Sequence, residues 1–265
     1  MCRFLTYFSN ESILLENLLD KPTNSLIKQS HEAKEGAQGV NADGFGIAWY
    51  DFDINSHPGV FKSIQPAWND NNLIHLSQKI RSPCFLAHVR ASTIGDVNQN
   101  NCHPFAYENY AFAHNGTIRS FDQYKKRLIE TIDEDLFLNI RGNTDSEFFF
   151  FLIMHFMRRE KNLEISVLKA IYWVIDAQKN DESFSRINIA ITNGQELIGT
   201  RFATKGYESL SLKYHTKLTE NNEITSLILS SEALDENELK WHDFPDNHYL
   251  HINKSDMVLT FKEII

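Results

Sequence analysis

The sequence predicts an α+β fold, in which strands and helices form separate runs rather than regular βαβ units. Residues 187–192 alternate between apolar and polar with a period of two, and a second β-rich run follows at 197–202. Asn193-Gly194 lies between these runs and predicts a hairpin with a type I′ turn. Two helical segments precede the hairpin, and three β-rich runs follow it at 226–229, 248–252 and 257–261.

The amino-terminal half is predicted to begin with a strand that ends at the polar pair Ser9-Asn10. Four apolar residues then recur at helical spacing and predict a helix; they are Ile13, Leu14, Leu18 and Leu19. The other predictions in this half are polar loops over 28–43 and 55–72 and strands over 45–52, 84–87 and 110–113.

Two capping boxes predict where the longer helices begin. In this motif the first residue and the residue three positions later satisfy each other's backbone amides, and Ser120 with Gln123 and Thr144 with Glu147 both match it. The helix from Thr144 is apolar nearly all round, so it is expected to be buried on more than one side. The helix over 163–179 has a single apolar stripe.

Composition limits the classes of partner. The 265-residue chain is 42% hydrophobic, which is ample for a buried core, and no shift in composition marks a linker, so we expect one domain over residues 2–265. The 26 Lys and Arg residues are outnumbered by 35 Asp and Glu residues. The resulting net charge of −9 opposes the cationic surface that nucleic acid or an anionic membrane would require, so neither is an expected partner.

Cysteine usage and apolar run length predict a cytoplasmic protein. Cys2, Cys84 and Cys102 form no Cys-x-x-Cys pair, so neither a disulfide framework nor a thiolate zinc site is predicted. The chain start lacks the apolar core and cleavage site of a secretory signal. The longest apolar run, residues 148–157, is shorter than the roughly 20 residues that cross a bilayer.

Cys2 is the first candidate for chemistry. Removal of Met1 would leave a thiol and a free α-amino group on one residue. The ordinary pKa of an α-amine is roughly 7.7–8.0 and that of a thiol is about 8.5, so the amine can accept the thiol proton at neutral pH. The alternative interpretation is a small apolar residue in a buried first strand, which is common for free cysteine.

Three downstream segments have chemistry that would complement such a nucleophile. Arg90 follows a predicted buried strand, where its guanidinium could bind a carboxylate through two hydrogen bonds; the alternative is a surface ion pair. Asp145 lies in the first turn of the predicted buried helix and could hold a substrate ammonium; the alternative is ordinary helix capping. Asn115 combines an amide side chain with the unhindered backbone N–H of Gly116, the two donor types of an oxyanion hole.

The alternative for Asn115-Gly116 is a plain hairpin turn. Asn193-Gly194 offers a comparison within the same chain, because it lies between two alternating runs and fits the turn interpretation better. A predicted helix cap at Ser120 follows Asn115-Gly116 closely and leaves little room for a paired return strand. We therefore favour the oxyanion-hole interpretation for Asn115-Gly116.

Six short segments, taken in order, resemble the class II glutamine amidotransferases, which are N-terminal nucleophile hydrolases. The resemblance is closer to their short stand-alone branch, which includes γ-glutamyl hydrolases. The segments are Cys2, Asn41-Ala42-Asp43-Gly44-Phe45-Gly46, His88-x-Arg90-x-x-Thr93, Asn101-Cys102-His103-Pro104-Phe105, His114-Asn115-Gly116 and Thr144-Asp145-Ser146-Glu147.

This resemblance implies a four-layer αββα sandwich of two antiparallel sheets flanked by helices. It implies that Cys2 is the nucleophile of γ-glutamyl amide hydrolysis through a thioester, with no cofactor and no metal. It also implies that Asn115 and Gly116 form the oxyanion hole. Arg90 is expected to bind the substrate α-carboxylate, Asp145 its α-ammonium, and Thr93 to line the glutamine pocket. His103 and His114 are expected to support the site.

The resemblance leaves the substrate and the fate of its nitrogen open. The expected substrate is a small molecule, either glutamine or a γ-glutamyl peptide or conjugate. Three outcomes are left open: ammonia is released, the cleaved amine is itself the product, or a separate acceptor subunit receives the nitrogen. A non-catalytic regulatory or partner-binding subunit with the same fold is the alternative, and retention of Met1 would favour it.

Overall fold

The computed structural model describes residues 2–35, 40–91, 96–180, 182–235 and 239–264. Within these ranges the strands form two sheets, one of seven strands and one of six, and every strand pairing in them is antiparallel. The predicted α+β class is therefore confirmed.

The seven-stranded sheet has the amino-terminal strand at its centre. Its strands in spatial order are β11 (His242–Asp243), β9 (Lys213–Leu218), β10 (Ile224–Ser230), β1 (Arg3–Leu14), β4 (Arg81–Val89), β2 (Phe45–Trp49) and β3 (Gly59–Ser63).

The six-stranded sheet is built from the predicted hairpin and its neighbours. Its strands in spatial order are β13 (Thr260–Glu263), β12 (His248–Asn253), β8 (Glu196–Arg201), β7 (Arg186–Thr192), β6 (Tyr110–Thr117) and β5 (Phe105–Tyr107).

Helices lie outside both sheets. The α-helices are α1 (Glu16–Leu19), α2 (Leu26–His31), α3 (Asn71–Ser77), α4 (Phe121–Thr131), α5 (Glu134–Phe137), α6 (Asp145–Glu160) and α7 (Leu163–Ala177). Short 3₁₀ helices span Ala67–Asn69, Gln99–Asn101 and Thr204–Gly206. Across the described residues, every helix falls short of the length and apolar character that a bilayer-spanning segment requires.

The core is layered because side chains alternate between the two faces of each strand. On β1, Phe4 and Phe8 belong to the apolar cluster between the sheets, whereas Leu5 and Tyr7 pack with α1, α2 and α3. On the opposite side, α4, α6 and α7 share a third cluster with the six-stranded sheet. The order helix, sheet, sheet, helix confirms the predicted four-layer sandwich.

The helix predicted from Ile13, Leu14, Leu18 and Leu19 is wrong in its first half. Strand β1 continues to Leu14, and Ile13 pairs with Ser82 of β4 after an irregularity in the register. Only Leu18 and Leu19 are helical, in α1. Pairing with a neighbouring strand outweighed a local apolar spacing that also fits a strand edge.

The two predicted polar loops contain regular structure. Helix α2 lies largely within 28–43, and its start is capped by the Ser25 side chain, which accepts a hydrogen bond from Lys28 N. The 55–72 segment contains β3 and leads into α3, which Asp70 caps in the same way. These elements were missed because they are short and rich in polar residues, and polar composition did not indicate exposure: Gln29 and Ser30 of α2 are buried.

The capping and turn predictions are correct only in part. Helix α4 begins after Ser120, but Ser120 has a φ of 56° and its side chain makes no capping hydrogen bond. Thr144 does accept from Glu147 N, whereas the Glu147 carboxylate accepts from the backbone of the preceding loop. The β7–β8 hairpin is confirmed, but only Gly194 has positive φ, so its turn is not type I′.

Candidate active site

A cavity of ≈ 110 Å³ lies where Cys2, just before β1, meets the end of β6. The structure therefore brings together three of the predicted site residues: Cys2 and, more than a hundred positions later in the sequence, the adjacent pair Asn115 and Gly116. The lining residues are Cys2, Ala91, Asn115, Gly116, Thr117, Arg119, Phe184, Arg186 and Leu210.

The Cys2 sulfur lies against the backbone of Ala91. Its Sγ donates to Ala91 O at 3.3 Å and accepts from Ala91 N at 3.4 Å. Burial raises the pKa of the Cys2 thiol, and the Ala91 hydrogen bond and the charges of Arg90 and Arg3 oppose that rise without cancelling it. The thiol therefore needs a proton acceptor before it can act as a nucleophile.

A buried ion pair holds the backbone next to this sulfur. Arg3 Nε lies 2.7 Å from Glu232 Oε1, with side chains 3% and 1% exposed, and Arg3 Nη1 donates to Cys2 O at 3.0 Å. The Glu232 carboxylate also accepts from Lys34 N and Glu35 N. Burial alone raises the pKa of Glu232, but these hydrogen bonds and the Arg3 charge outweigh burial, and the net pKa lies below its ordinary value.

Ser231 connects the start of β1, next to Cys2, to Asn115. Its Oγ accepts from Phe4 N at 3.0 Å and from Asn115 Nδ2 at 3.3 Å. Its backbone N donates to Phe4 O at 3.1 Å. Sequence reasoning missed Ser231 and Glu232, although a short polar segment directly after the apolar strand β10 was a signal that could have found them.

Asn115 and Gly116 lie within β6 rather than in a turn. They pair with Asn188 and Ile187 of β7. Their neighbour in the sheet is therefore β7, and not a strand that returns directly after Gly116 as in a hairpin. A Cβ on Gly116 would lie 1.9 Å from Arg186 O, which is far inside contact distance. Only glycine allows the strands to approach this closely, and this keeps the edge of the cavity at Gly116 free of a side chain.

Arg90 is buried beside the cavity and is not one of its lining residues. Its backbone N donates to Gly44 O at 2.8 Å, and its O accepts from Asp43 N at 3.0 Å. Its Nη1 donates to Asp96 O at 3.1 Å. Thr93, the predicted pocket residue, lies outside the described residues.

Asp145 is buried at the start of α6 and is likewise absent from the cavity lining. Its Oδ2 accepts from Ile118 N at 2.6 Å, and its Oδ1 accepts from Ser146 N at 2.8 Å. The carboxylate thus ties α6 to the residue after β6. Its predicted contact with a substrate ammonium stays a prediction.

The two predicted supporting histidines are buried behind the site. His114 Nε2 lies 3.0 Å from Arg186 O, and Nδ1 lies 2.8 Å from Ser146 Oγ. Because a carbonyl only accepts, Nε2 is assigned the proton. His103 stacks on His88 with ring centroids 4.2 Å apart. Burial lowers the pKa of His114 and His103, and lowers that of His88 to about 3.

The segments 41–46 and 101–105 pack against each other. A Cβ on Gly44 would lie 2.6 Å from Cys102 Sγ, and a Cβ on Gly46 would lie 2.3 Å from His103 O. The segments therefore form a tight support beneath Arg90. Within the described ranges, no three His, Cys, Asp or Glu side chains converge as metal ligands would.

Comparison with known proteins agrees with this geometry. A family profile described as glutamine amidotransferases class-II matches residues 13–264. The chain belongs to this family. The predicted family and the predicted enzyme class, an amidohydrolase of the class II glutamine amidotransferase type, are thereby confirmed.

Two curated relatives cover nearly the whole chain. The probable glutamine amidotransferase DUG3 of Saccharomyces cerevisiae is 32% identical over 98% of this chain and 84% of its own length. The gamma-glutamyl-hercynylcysteine sulfoxide hydrolase of Mycobacterium tuberculosis is 24% identical over 98% of this chain and 96% of its own length.

Solved structures share the fold. A glutamine aminotransferase class-II domain protein from Silicibacter pomeroyi has a TM-score of 0.69 at 22% identity, covering 98% of both chains. The glutamine phosphoribosylpyrophosphate amidotransferase of B. subtilis has a TM-score of 0.68 at 15% identity, and the match covers 99% of this class II chain and 49% of that protein.

Removing the Glu232 carboxylate should destabilise the protein strongly. Glu232→Ala leaves the Arg3 guanidinium buried without its partner, and such a loss costs about 3–5 kcal/mol. We expect the free energy of unfolding in urea at pH 7 to fall by this amount. Because the folded-state pKa of Glu232 is lowered, its contribution is complete above its ordinary pKa of about 4.3 and is lost as pH falls through the folded-state value.

Glu11→Ala is the matched control for this measurement. Glu11 pairs with Lys217 at 3.6 Å, and both side chains are 65% exposed. Exposed pairs contribute about 0–1 kcal/mol, so a small loss is expected. Equal losses in the two variants would contradict the importance given to the Arg3–Glu232 pair.

Proposed function

We propose that this amidotransferase-family chain hydrolyses a γ-glutamyl amide bond with Cys2 as the nucleophile and a γ-glutamyl thioester as the intermediate. The observation that carries the proposal is the cavity that Cys2, Asn115 and Gly116 line together. The named substrate of the mycobacterial relative, a γ-glutamyl conjugate, supports the same bond class.

The first half of the reaction forms the thioester. Once Met1 is removed, the α-amino group of Cys2 accepts the thiol proton, and the thiolate attacks the γ-carbonyl carbon. The carbonyl electron pair moves onto oxygen, where Asn115 Nδ2 and Gly116 N–H donate hydrogen bonds to the oxyanion. Collapse of this intermediate breaks the C–N bond, and the departing nitrogen takes the proton from the Cys2 ammonium.

The second half releases glutamate. Water gives one proton to the Cys2 amine as it attacks the thioester carbon, and the C–S bond breaks with return of that proton to sulfur. One amide and one water are consumed, and one glutamate and one amine or ammonia are formed. The amine leaves into solution or passes to a separate acceptor subunit.

The remaining predicted residues bind and support the glutamyl group in this proposal. Arg90 binds the α-carboxylate, and Thr93 lines the pocket. Asp145 takes the α-ammonium through lone pairs that Ile118 and Ser146 leave available, since a carboxylate accepts about four hydrogen bonds. His103 and His114 act through packing, and residues 2–265 act as one domain.

Cys2→Ala should abolish hydrolysis because it removes the attacking atom. Glutamate release from γ-glutamyl amides should fall to background, while Cys84→Ala should retain activity. Burial raises the pKa of Cys84 to about 12, so that thiol is not ionised at neutral pH. Intact mass of the active protein should show loss of Met1. A fully active Cys2→Ala variant, or active protein that retains Met1, would refute the mechanism and favour a non-catalytic, partner-binding role.

Asn115→Ala should lower kcat and leave KM nearly unchanged. One oxyanion donor contributes about 10²–10³ in rate, and it acts on charge that develops only in the transition state. Steady-state kinetics with one γ-glutamyl substrate measure both constants. Asn193→Ala is the matched control, because Asn193 also precedes a glycine but lies in the β7–β8 turn and does not line the cavity. A comparable drop in both variants would count against the oxyanion assignment.

Arg90→Lys should raise KM. A lysine keeps the positive charge but cannot form two parallel hydrogen bonds to a carboxylate, and each charged hydrogen bond contributes about 1.5–3 kcal/mol. We expect KM to rise about 10- to 100-fold, with Arg81→Lys as the control at an exposed site. An unchanged KM would remove Arg90 from substrate binding.

A further inference from the structure

The outer part of the cavity contains two arginines that the mechanism does not use. Arg119 and Arg186 line the same cavity as Cys2, next to Phe184. Sequence reasoning did not identify either residue. Arg119 follows the end of β6 by two residues, and Arg186 begins β7 opposite Thr117. Arg90 and Asp145, which the proposed function assigns to the glutamyl group, are buried and do not line the cavity, so the two lining arginines are left for the leaving group.

Arg186 is held in a fixed orientation. Its Nε donates to Glu208 O at 2.8 Å, and its guanidinium carbon lies 5.0 Å from the centroid of the Phe184 ring. Phe184 in turn stacks on Tyr207, with ring centroids 3.9 Å apart and an angle of 12° between the planes. Stacking and one hydrogen bond thus orient the guanidinium. Among the residues that the structure describes, none accepts a hydrogen bond from its terminal nitrogens, so these can bind another group.

Arg119 is anchored through its backbone and has an exposed side chain. Its N donates to Ser185 Oγ at 3.1 Å, and its O accepts from Gln178 Nε2 at 3.0 Å. Considering the part of the chain that the structure describes, neither the Arg119 nor the Arg186 guanidinium has a carboxylate at ion-pair distance. The chain has a net charge of −9, so two cations without carboxylate partners in one small cavity are unusual and favour binding of an anionic ligand.

The two substrate types differ in the charge of their leaving group. Glutamine releases ammonia, which carries no anionic group. A γ-glutamyl peptide releases an amino acid or peptide whose own carboxylate remains close to the cleaved bond. Arginine suits such a carboxylate because its planar donors match the two oxygens.

We propose that Arg119 and Arg186 form a subsite for the carboxylate of the leaving group, so that the preferred substrates are γ-glutamyl peptides with a free carboxylate rather than glutamine. Phe184 provides the flat apolar wall of this subsite, and Arg186 is oriented by it. This inference rests on the proposed function, because it assigns the leaving-group side of the same cavity.

The test compares γ-glutamylalanine with γ-glutamylalaninamide, two substrates of equal size that differ in the carboxylate. We expect kcat/KM of the wild type to be about 10- to 100-fold higher for the carboxylate substrate, and low for glutamine. In the double variant Arg119→Gln with Arg186→Gln, the ratio should fall to about 1. Both rates come from the same sample, so the ratio is independent of the folded fraction.

Arg81→Gln is the matched control, since it removes the same charge from an exposed residue whose guanidinium donates to Ser12 O. It should retain the wild-type ratio. If the double variant does not fold, the single variant at exposed Arg119 gives the same comparison, and its ratio should fall by several-fold.

The outcomes separate the subsite from the reaction. A wild-type ratio near 1, or a high ratio that survives loss of the arginines, overturns the subsite while leaving γ-glutamyl hydrolysis intact. If the wild type releases no more glutamate than Cys2→Ala from any of the three substrates, the proposed function itself fails, and the subsite assignment fails with it.

Discussion

The position of the Cys2 sulfur depends on the buried ion pair between Arg3 and Glu232. Removing two charges from water costs several kcal/mol for each ion. A buried ion pair is therefore stable only when the remaining donors of the arginine and the remaining acceptors of the carboxylate also form hydrogen bonds. Glu232 accepts two backbone N–H groups besides Arg3, and Arg3 donates to Cys2 O. The hydrogen bonds that make the buried pair stable therefore include the one that holds the backbone of Cys2, the residue that carries the thiol.

The two sheets then bring the thiol to its partners. Small residues of the six-stranded sheet, Ala111, Ala113 and Ala190, lie in the central cluster with the large Phe4 and Phe8 of β1. Large side chains of one sheet packed with small ones of the other are the arrangement that a close-packed interior requires. Ser231 bridges Phe4 of β1 to Asn115 of β6 across this junction, so the proposed nucleophile next to β1 and the proposed oxyanion donor in β6 are held by two strands.

Ordered motifs were sufficient to predict the fold class, the family and the enzyme class, because each motif reflects a local requirement such as the close approach at Gly116. Long-range contacts were not predictable in this way. Arg3 and Glu232 are 229 positions apart, and neither residue carries a local signal for its partner. The same limit explains Ile13 and Leu14, whose strand pairing depends on β4, and Arg119 and Arg186, whose proximity appears only when β6 and β7 pair.

The choice of proton acceptor follows from burial. Burial raises the pKa of the Cys2 thiol, so the proposed mechanism has to generate the thiolate during the reaction. Burial keeps His88 and His103 neutral behind the site, and both ring nitrogens of His114 already contact Arg186 O and Ser146 Oγ. The α-amine of Cys2 does not have to reach the thiol from another part of the chain, because both groups belong to one residue. The proposed mechanism therefore uses the amine as base, and the histidines serve the site through packing.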